Sequence, residues 1–461
     1  MVFSSVLFLF AFLPLFLLAY YLTPFRFRSA LIVAFSYAFY AWWRPDFLGL
    51  LAGVTFGSYA IALKIEAAAT GQGRSRWLTL GVTLNLAALG YFKYANFGVE
   101  SLNALLGSLG IAPVAFAHVL LPIGLSFYIF HAISYLVDIY RREAMPARDV
   151  IDFAAFIALF PHLVAGPVLR YHLLAEQFRH REHSRERFAR GCVLFMVGFC
   201  KKVLVADAVA PLADAAFSAP NPSLADAWTG ALAYACQLFF DFSGYTDMAI
   251  GLAWMIGFEF PQNFNDPYIS RSITDFWRRW HMSLSNWLRL YLYVPLGGNR
   301  KGPVRTYINL FLTMVLGGLW HGANWTFVLW GAWHGGALMV ERYAGERYPQ
   351  WAWPAWLSWA RTMLLVLIGW VLFRAADVTR AGEMLGGMAG LNGLGFSAPM
   401  AWQVTDDRVL VLGIALVLVA ALPWLKRNQG GPLRFLLVPL FLWALATITA
   451  QSFKPFLYFQ F

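Results

Sequence analysis

The stretch Gly317-Gly318-Leu319-Trp320-His321-Gly322-Ala323-Asn324-Trp325 sets an imidazole among glycines and aromatics, where a lipid-soluble helix is expected. An ionisable side chain is expensive in hydrocarbon, so one kept there is by default a functional group. Desolvation disfavours the charged imidazole, which leaves His321 neutral and able to accept a proton, the state a general base needs. The competing role is polar glue, a hydrogen bond to a neighbouring helix.

Other polar groups cluster nearby in the sequence. Asp241 and Asp247 lie six residues apart inside an apolar segment, a costly arrangement unless each is paired, hydrogen-bonded or beside a wet cavity. Tyr245 stands at i+4 from Asp241 on the same helix face, so its hydroxyl or a water could satisfy that carboxylate, with a helix break at Gly244 as the structural alternative. From Ile273 to Tyr291, Phe276, Trp277, Trp280, Leu284, Trp287 and Leu288 recur at helical spacing on one face, opposite Arg278, Arg279, Asn286 and Arg289. That pattern predicts one amphipathic helix at the cytoplasmic interface, with Asp275 paired to Arg279 and His281 about 80° from the centre of the apolar face. His281 either reaches into a cavity or anchors the helix. The following turn, Pro295-Leu296-Gly297-Gly298-Asn299-Arg300-Lys301-Gly302, is flexible and basic and could hold phosphates, although it lacks P-loop order. His334 lies thirteen residues beyond His321, about 20 Å along a continuous helix, so the two histidines should not share a site.

The elements that carry these groups follow from composition. The chain has 461 residues, 60% hydrophobic and only 13% charged, with apolar runs of a length that fits bilayer-spanning helices and no strand-like alternation. The fold class is therefore all-α and polytopic, with about 11–13 membrane helices including re-entrant or interfacial pieces. Expected spans are 2–22, 30–43, 47–63, 77–92, 120–139, 151–169, 191–209, 228–256, 307–320, 325–340, 356–373, 409–425 and 435–450. The first has its basic residues, Arg26 and Arg28, after it, which fits an uncleaved span with its N-terminus away from the cytoplasm. The polar motifs gather in 241–334 of a single membrane domain covering 1–461.

The net charge of +11 sits in loops, chiefly the segments 170–190 and 271–306, which the positive-inside rule places in the cytoplasm; it argues for contact with lipid headgroups and against nucleic acid. His172, His180 and His183 in the first of these loops lack ligand spacing, so no metal site is expected. Cys192, Cys200 and Cys236 form neither a disulfide framework nor a zinc motif.

Five ordered motifs carry a resemblance: Asp-Phe-Ser-Gly-Tyr-Thr-Asp-Met-Ala-Ile-Gly (241–251), Phe-Asn-Asp-Pro-Tyr (264–268), Phe-Trp-Arg-Arg-Trp-His-Met-Ser-Leu-Ser (276–285), Pro-Leu-Gly-Gly-Asn-Arg-Lys-Gly (295–302) and Leu-Trp-His-Gly-Ala (319–323). Together they resemble the membrane-bound O-acyltransferase family, and within it the bacterial alginate O-acetylation subgroup. The resemblance implies a multi-helix funnel or tunnel, an essential histidine at His321 and a second polar residue at His281. It also implies acetyl-CoA or another acyl thioester as cytoplasmic donor, with the acetyl group passed across the bacterial inner membrane. The implied partners are an extracytoplasmic acetyltransferase of SGNH/GDSL type and a polysaccharide biosynthesis and export complex. One departure is Leu290, where the subgroup commonly has aspartate after the arginine matching Arg289.

The residues themselves suit acyl transfer: His321 as base, His281 as orienting or oxyanion-stabilising group, and Arg278, Arg279, Arg300 and Lys301 for the donor's phosphates, with Asp241, Tyr245, Asp247 and Asn324 in support. The alternatives are an acyl-group transporter, for which two related halves would be expected, a structural scaffold for a secretion complex, and O-acetylation of another envelope polymer such as cellulose or peptidoglycan.

Overall fold

A chain this apolar must bond its backbone internally, and a helix does so within one segment. The regular elements of the computed structural model are accordingly all helices, with no strand among the described residues, which are 2–348, 350, 353–427, 435–450 and 456–457. Three helices among them are long and apolar enough to cross a membrane, Pro45–Ala67, Ala355–Arg374 and Asp406–Leu425. The chain gathers into two compact units, Met1–Phe195 with Ala249–Pro261, and Met196–Met248 with Gln262–Phe461.

In the first unit, Phe8, Phe12, Phe16 and Phe39 surround Phe160, with ring centroids 5.0–6.1 Å from it. The expected span 151–169 is not one helix. Val150–Ala158 stops at Leu159, the four-residue helix Phe160–Leu163 follows, and the chain then runs buried and non-helical through Leu169. Pro161 explains the break, because inside a continuous helix it would lack the N–H for Ile157 and its ring would meet that carbonyl.

The second unit holds every group singled out for chemistry. Helix Leu224–Met255 runs through Gly244 unbroken, contrary to the expected break. Gly244 serves close approach instead: a Cβ there would lie 2.6 Å from the carbonyl oxygen of Gly198, and one on Gly198 would lie 2.4 Å from that of Gly244. Two backbones meeting at facing glycines is a common device of membrane helices. Gly244→Ala should therefore cost about 1–3 kcal/mol by overpacking, read as a lower unfolding temperature in detergent; an unchanged midpoint would show that the crossing has slack.

The predicted single helix 273–291 is broken as well. It forms Ile273–Arg279, then Met282–Leu288, then a π-helical turn Arg289–Tyr293. His281 sits at the break with φ 43° and ψ 54°, so it is a corner residue rather than one on the edge of a helix. The segment ahead of it forces the corner: Asn265 N–H donates to Arg279 O at 2.9 Å and Met282 N–H to Asn263 O at 2.9 Å.

Helices Pro303–His321 and Trp325–Arg347 form a hairpin. Its corner is Gly322-Ala323-Asn324, and its arms close over Gly318 and Gly331, where a Cβ would fall 2.2 Å from Phe327 O and 2.4 Å from Met314 O.

Candidate active site

His321 is the last residue of its helix, 8% exposed. Its ring packs edge-on against Trp320, Trp330 and Phe373, with centroids 5.0, 5.1 and 5.1 Å away. The ring of His281, 1% exposed, lies 6.5 Å from that of His321, centroid to centroid. One small polar atom between rings at that separation is within hydrogen-bond reach of both. The corner at Trp280 and His281 thus brings together the two histidines that the sequence singled out.

What holds His281 is Asn263, which sequence reasoning missed. The Asn263 Oδ1 accepts from Ser283 N–H at 3.1 Å, a donor of known polarity, and from Ser283 Oγ at 2.9 Å. That fixes the amide's orientation, so the contact at 3.1 Å between Asn263 Oδ1 and His281 Nδ1 is a donation from His281 Nδ1–H. In the neutral ring Nε2 is then the acceptor. Phe242, from helix Leu224–Met255, backs the ring at 4.7 Å.

His334 is closer to this site than expected. The hairpin returns the chain after Asn324, and His334 and His321 pack on the same indole, Trp330, each with its centroid 5.1 Å away. The distance estimate failed because it assumed a continuous helix. His334 is fully buried among Trp277, Trp330, Trp370 and Phe276, and neither ring nitrogen has a hydrogen-bond partner among the described residues.

The supporting residues divide. Asp241, 2% exposed, is answered by Lys202 Nζ at 2.7 Å and by the backbone N–H of Leu457 at 3.0 Å, partners that spacing along one helix could not name. Tyr245 packs edge-on against Phe456 at 4.9 Å. Asp247 pairs with Lys201 at 2.6 Å, and Lys202 also reaches Asp207 at 2.8 Å. The two lysines open a π-helical turn, Lys201–Ala206, and their long side chains extend to carboxylates six residues, or about 9 Å, apart along the facing helix. Their sequence signal was two cations inside the expected span 191–209. Asn324 is a helix cap: its Oδ1 accepts from Thr326 N–H at 3.1 Å while its Nδ2 donates to Ala376 O at 2.8 Å.

Of the basic residues, Arg279 is committed, bonded to Asp275 at 2.9 Å as expected and to Asn265 O at 3.2 Å. Arg278, Arg300 and Lys301 are exposed and without an ion-pair partner among the described residues. The glycine turn carrying the last two is pinned by buried Asn309, whose Nδ2 donates to Gly298 O at 3.1 Å, and Asn299 Oδ1 accepts from the Tyr293 hydroxyl.

The arrangement, two buried imidazoles 6.5 Å apart among aromatic rings and a pinned basic turn, suits proton handling in group transfer. Comparison with known proteins points the same way. Residues 125–380 match the profile of the membrane-bound O-acyltransferase family. The chain is 51% identical over 501 residues to the "probable alginate O-acetylase AlgI" of Azotobacter vinelandii and 53% identical over 487 residues to that of Pseudomonas putida, covering all of both chains in each case. It is also 36% identical over 430 residues to a "peptidoglycan O-acetyltransferase" of Helicobacter pylori, spanning 86% of this chain and 81% of that one.

Proposed function

The chain belongs to the membrane-bound O-acyltransferase family, and from that premise we propose that it takes an acetyl group from a cytoplasmic thioester, acetyl-CoA, and passes it across the bacterial inner membrane for O-acetylation of an exopolysaccharide. Alginate is the favoured polymer because the full-length relatives bear that name. The observation that carries the mechanism is the His281–His321 pair, 6.5 Å apart and buried.

In this reading the chain passes through the membrane several times and the thioester enters the enclosure between the two imidazoles. The acceptor hydroxyl attacks the thioester carbonyl; His321 takes its proton as the new C–O bond forms. His281, its Nδ1–H held by Asn263, orients the donor by accepting at Nε2, so that the hydroxyl's one proton goes to His321. The intermediate collapses with cleavage of the C–S bond, and the proton on His321 goes to the leaving thiolate. The attacking hydroxyl is that of an extracytoplasmic acetyltransferase, which carries the acetyl group away as an ester and passes it to the polymer.

The test is radiolabelled acetyl-CoA supplied outside inside-out vesicles, with polysaccharide and a soluble acetyltransferase in the lumen. Label is expected on the luminal acceptor, and free label crossing without transfer would make the protein a carrier. Peptidoglycan replacing alginate in the lumen tests the polymer that the Helicobacter pylori relative's name suggests.

Arg278, Arg300 and Lys301 would meet the donor's phosphates. Reversing charge at Arg300 and Lys301 together should raise the KM for acetyl-CoA at least tenfold with little change in kcat, because the contact is made before and during reaction alike. An unchanged KM would remove the turn from the donor site.

A further inference from the structure

The first unit contains a cationic cluster that the acyl-transfer chemistry does not use. Arg181 is only 9% exposed, and its Nε and both terminal nitrogens lack a hydrogen-bond partner among the described residues. Aromatic rings stand where a carboxylate would be expected: Phe258 at 4.5 Å from the guanidinium carbon, Phe25 at 5.0 Å, Phe178 at 5.8 Å and Tyr20 at 5.9 Å. Such contacts offset part of the cost of a buried charge but leave its five N–H donors unused.

A second guanidinium adjoins the first. Arg28 lies over the Tyr20 ring at 4.7 Å, donates through Nε to Thr23 O at 3.1 Å and contacts His183 Nε2 at 3.2 Å. His183 Nδ1 is 3.2 Å from Arg181 O, a carbonyl that can only accept, so Nδ1 carries the hydrogen and Nε2 receives the one from Arg28. Burial, then the charges of Arg28 and Arg181, hold the proton affinity of His183 below the ordinary histidine range, consistent with a neutral ring. Gly257 makes room for the loop: at φ +83° it approaches Glu182 O and His183, with 3.0 Å and 3.1 Å to a Cβ placed there. Neither Arg28 nor Arg181 has an ion-pair partner among the described residues. Asp152 acts on Arg181 through its charge but is not within ion-pair distance, so the Arg181 donors are left without a partner among the described residues, and phosphate oxygens match the planar forks of the two guanidiniums.

The surroundings indicate the bearer of that phosphate. The helix leading to the cluster, Leu13–Leu22, exposes Leu15, Leu18 and Leu22 at 59%, 61% and 75%, along one face. Beyond it Phe25 and Phe27 are exposed at 40% and 52%, and Arg26 lies over Phe27 at 4.6 Å. An apolar track ending in aromatics and cations is the profile of a membrane interface at headgroup depth. The loop 170–190 is the one that the positive-inside rule assigns to the cytoplasm, the leaflet whose anionic lipids attract basic segments.

We propose that Arg28 and, behind it, Arg181 form a binding site for the phosphate of an anionic phospholipid, reached when the 40%-exposed Phe25 ring over Arg181 turns aside, with the lipid's acyl chain along Leu15, Leu18 and Leu22. The bound lipid would tie the loop 180–184 to the first helix.

The test uses the full-length protein in detergent and native mass spectrometry, with phosphatidylglycerol, phosphatidylcholine and inorganic phosphate as probes. Phosphatidylglycerol is expected to bind at least tenfold more tightly than phosphatidylcholine, with Arg181→Gln removing that preference. Arg28→Gln should weaken it several-fold, and it keeps the test available if Arg181→Gln fails to fold, since Arg28 is half-buried and its removal strands no charge. Arg44→Gln, a surface residue paired with Asp46 at 2.7 Å, should change nothing. Equal binding of the two lipids, or a preference surviving both variants, overturns the site. Inorganic phosphate binding as tightly as phosphatidylglycerol, and lost with Arg181→Gln, overturns the lipid assignment and gives the site to a soluble phosphate.

Discussion

His321→Ala is expected to lower acetyl transfer by about 10²–10⁴-fold, the usual worth of a positioned general base, while the protein still inserts and folds. The imidazole ends a helix rather than interrupting one, and its neighbours Trp320, Trp330 and Phe373 also pack on other rings, so its loss opens a small void without unmaking the hairpin. If His321 were only packing, the variant would lose stability and keep its turnover. The two cases separate by measuring kcat and the unfolding temperature on the same preparation. A drop in kcat with an unchanged KM for acetyl-CoA supports the base; full activity removes His321 from the mechanism. The companion variant Asn263→Asp sharpens the result. A carboxylate opposite His281 Nδ1–H favours the imidazolium, so the pH at which activity appears should move upward as Nε2 gives up its role as acceptor.

The sequence disclosed the family and the two histidines, because glycines, aromatics and a lone imidazole in an apolar run are visible without a third dimension. It did not disclose how the histidines meet. The 273–291 stretch has helical periodicity across a corner, since Trp280 and Leu284 face inward on either side of it, and only the hydrogen bonds from Asn263 and Asn265 reveal the break. Helical spacing likewise misplaced His334, because the ~20 Å was measured along one continuous helix although the expected spans 307–320 and 325–340 already left Gly322-Ala323-Asn324 as a turn between them. Asp241 was visible as a buried charge, but its partner could not be read, because Lys202 lies 39 positions earlier and no spacing rule joins two helices. Gly244 reads the same in a sequence whether it breaks a helix or lets another approach, and Gly198 opposite it decides the matter.

Lys202 supports the second large expectation. Its ammonium, 2% exposed, lies between Asp241 at 2.7 Å and Asp207 at 2.8 Å, and over the ring of Phe456 at 4.7 Å. Lys202→Met would strand a carboxylate that is 3% exposed, and removing one partner of a buried ion pair costs about 3–5 kcal/mol. Asp241→Asn should cost less, since Lys202 keeps Asp207 and the amide oxygen can still accept from Leu457 N–H. The double variant should recover much of the loss seen with Lys202→Met alone, because the substituted amide carries no charge and the Asp207 side chain, 17% exposed, can reach water. Unfolding temperatures of the four proteins in one detergent complete the cycle. Activity supplies a separate readout: Asp241 anchors the helix whose next residue, Phe242, backs His281 at 4.7 Å, so loss of the anchor should lower kcat in proportion to how far that ring is released. Lys202→Met as stable as the parent would mean that the Leu457 N–H alone suffices to hold Asp241, and the stabilisation assigned to the ion pair would then belong to that hydrogen bond.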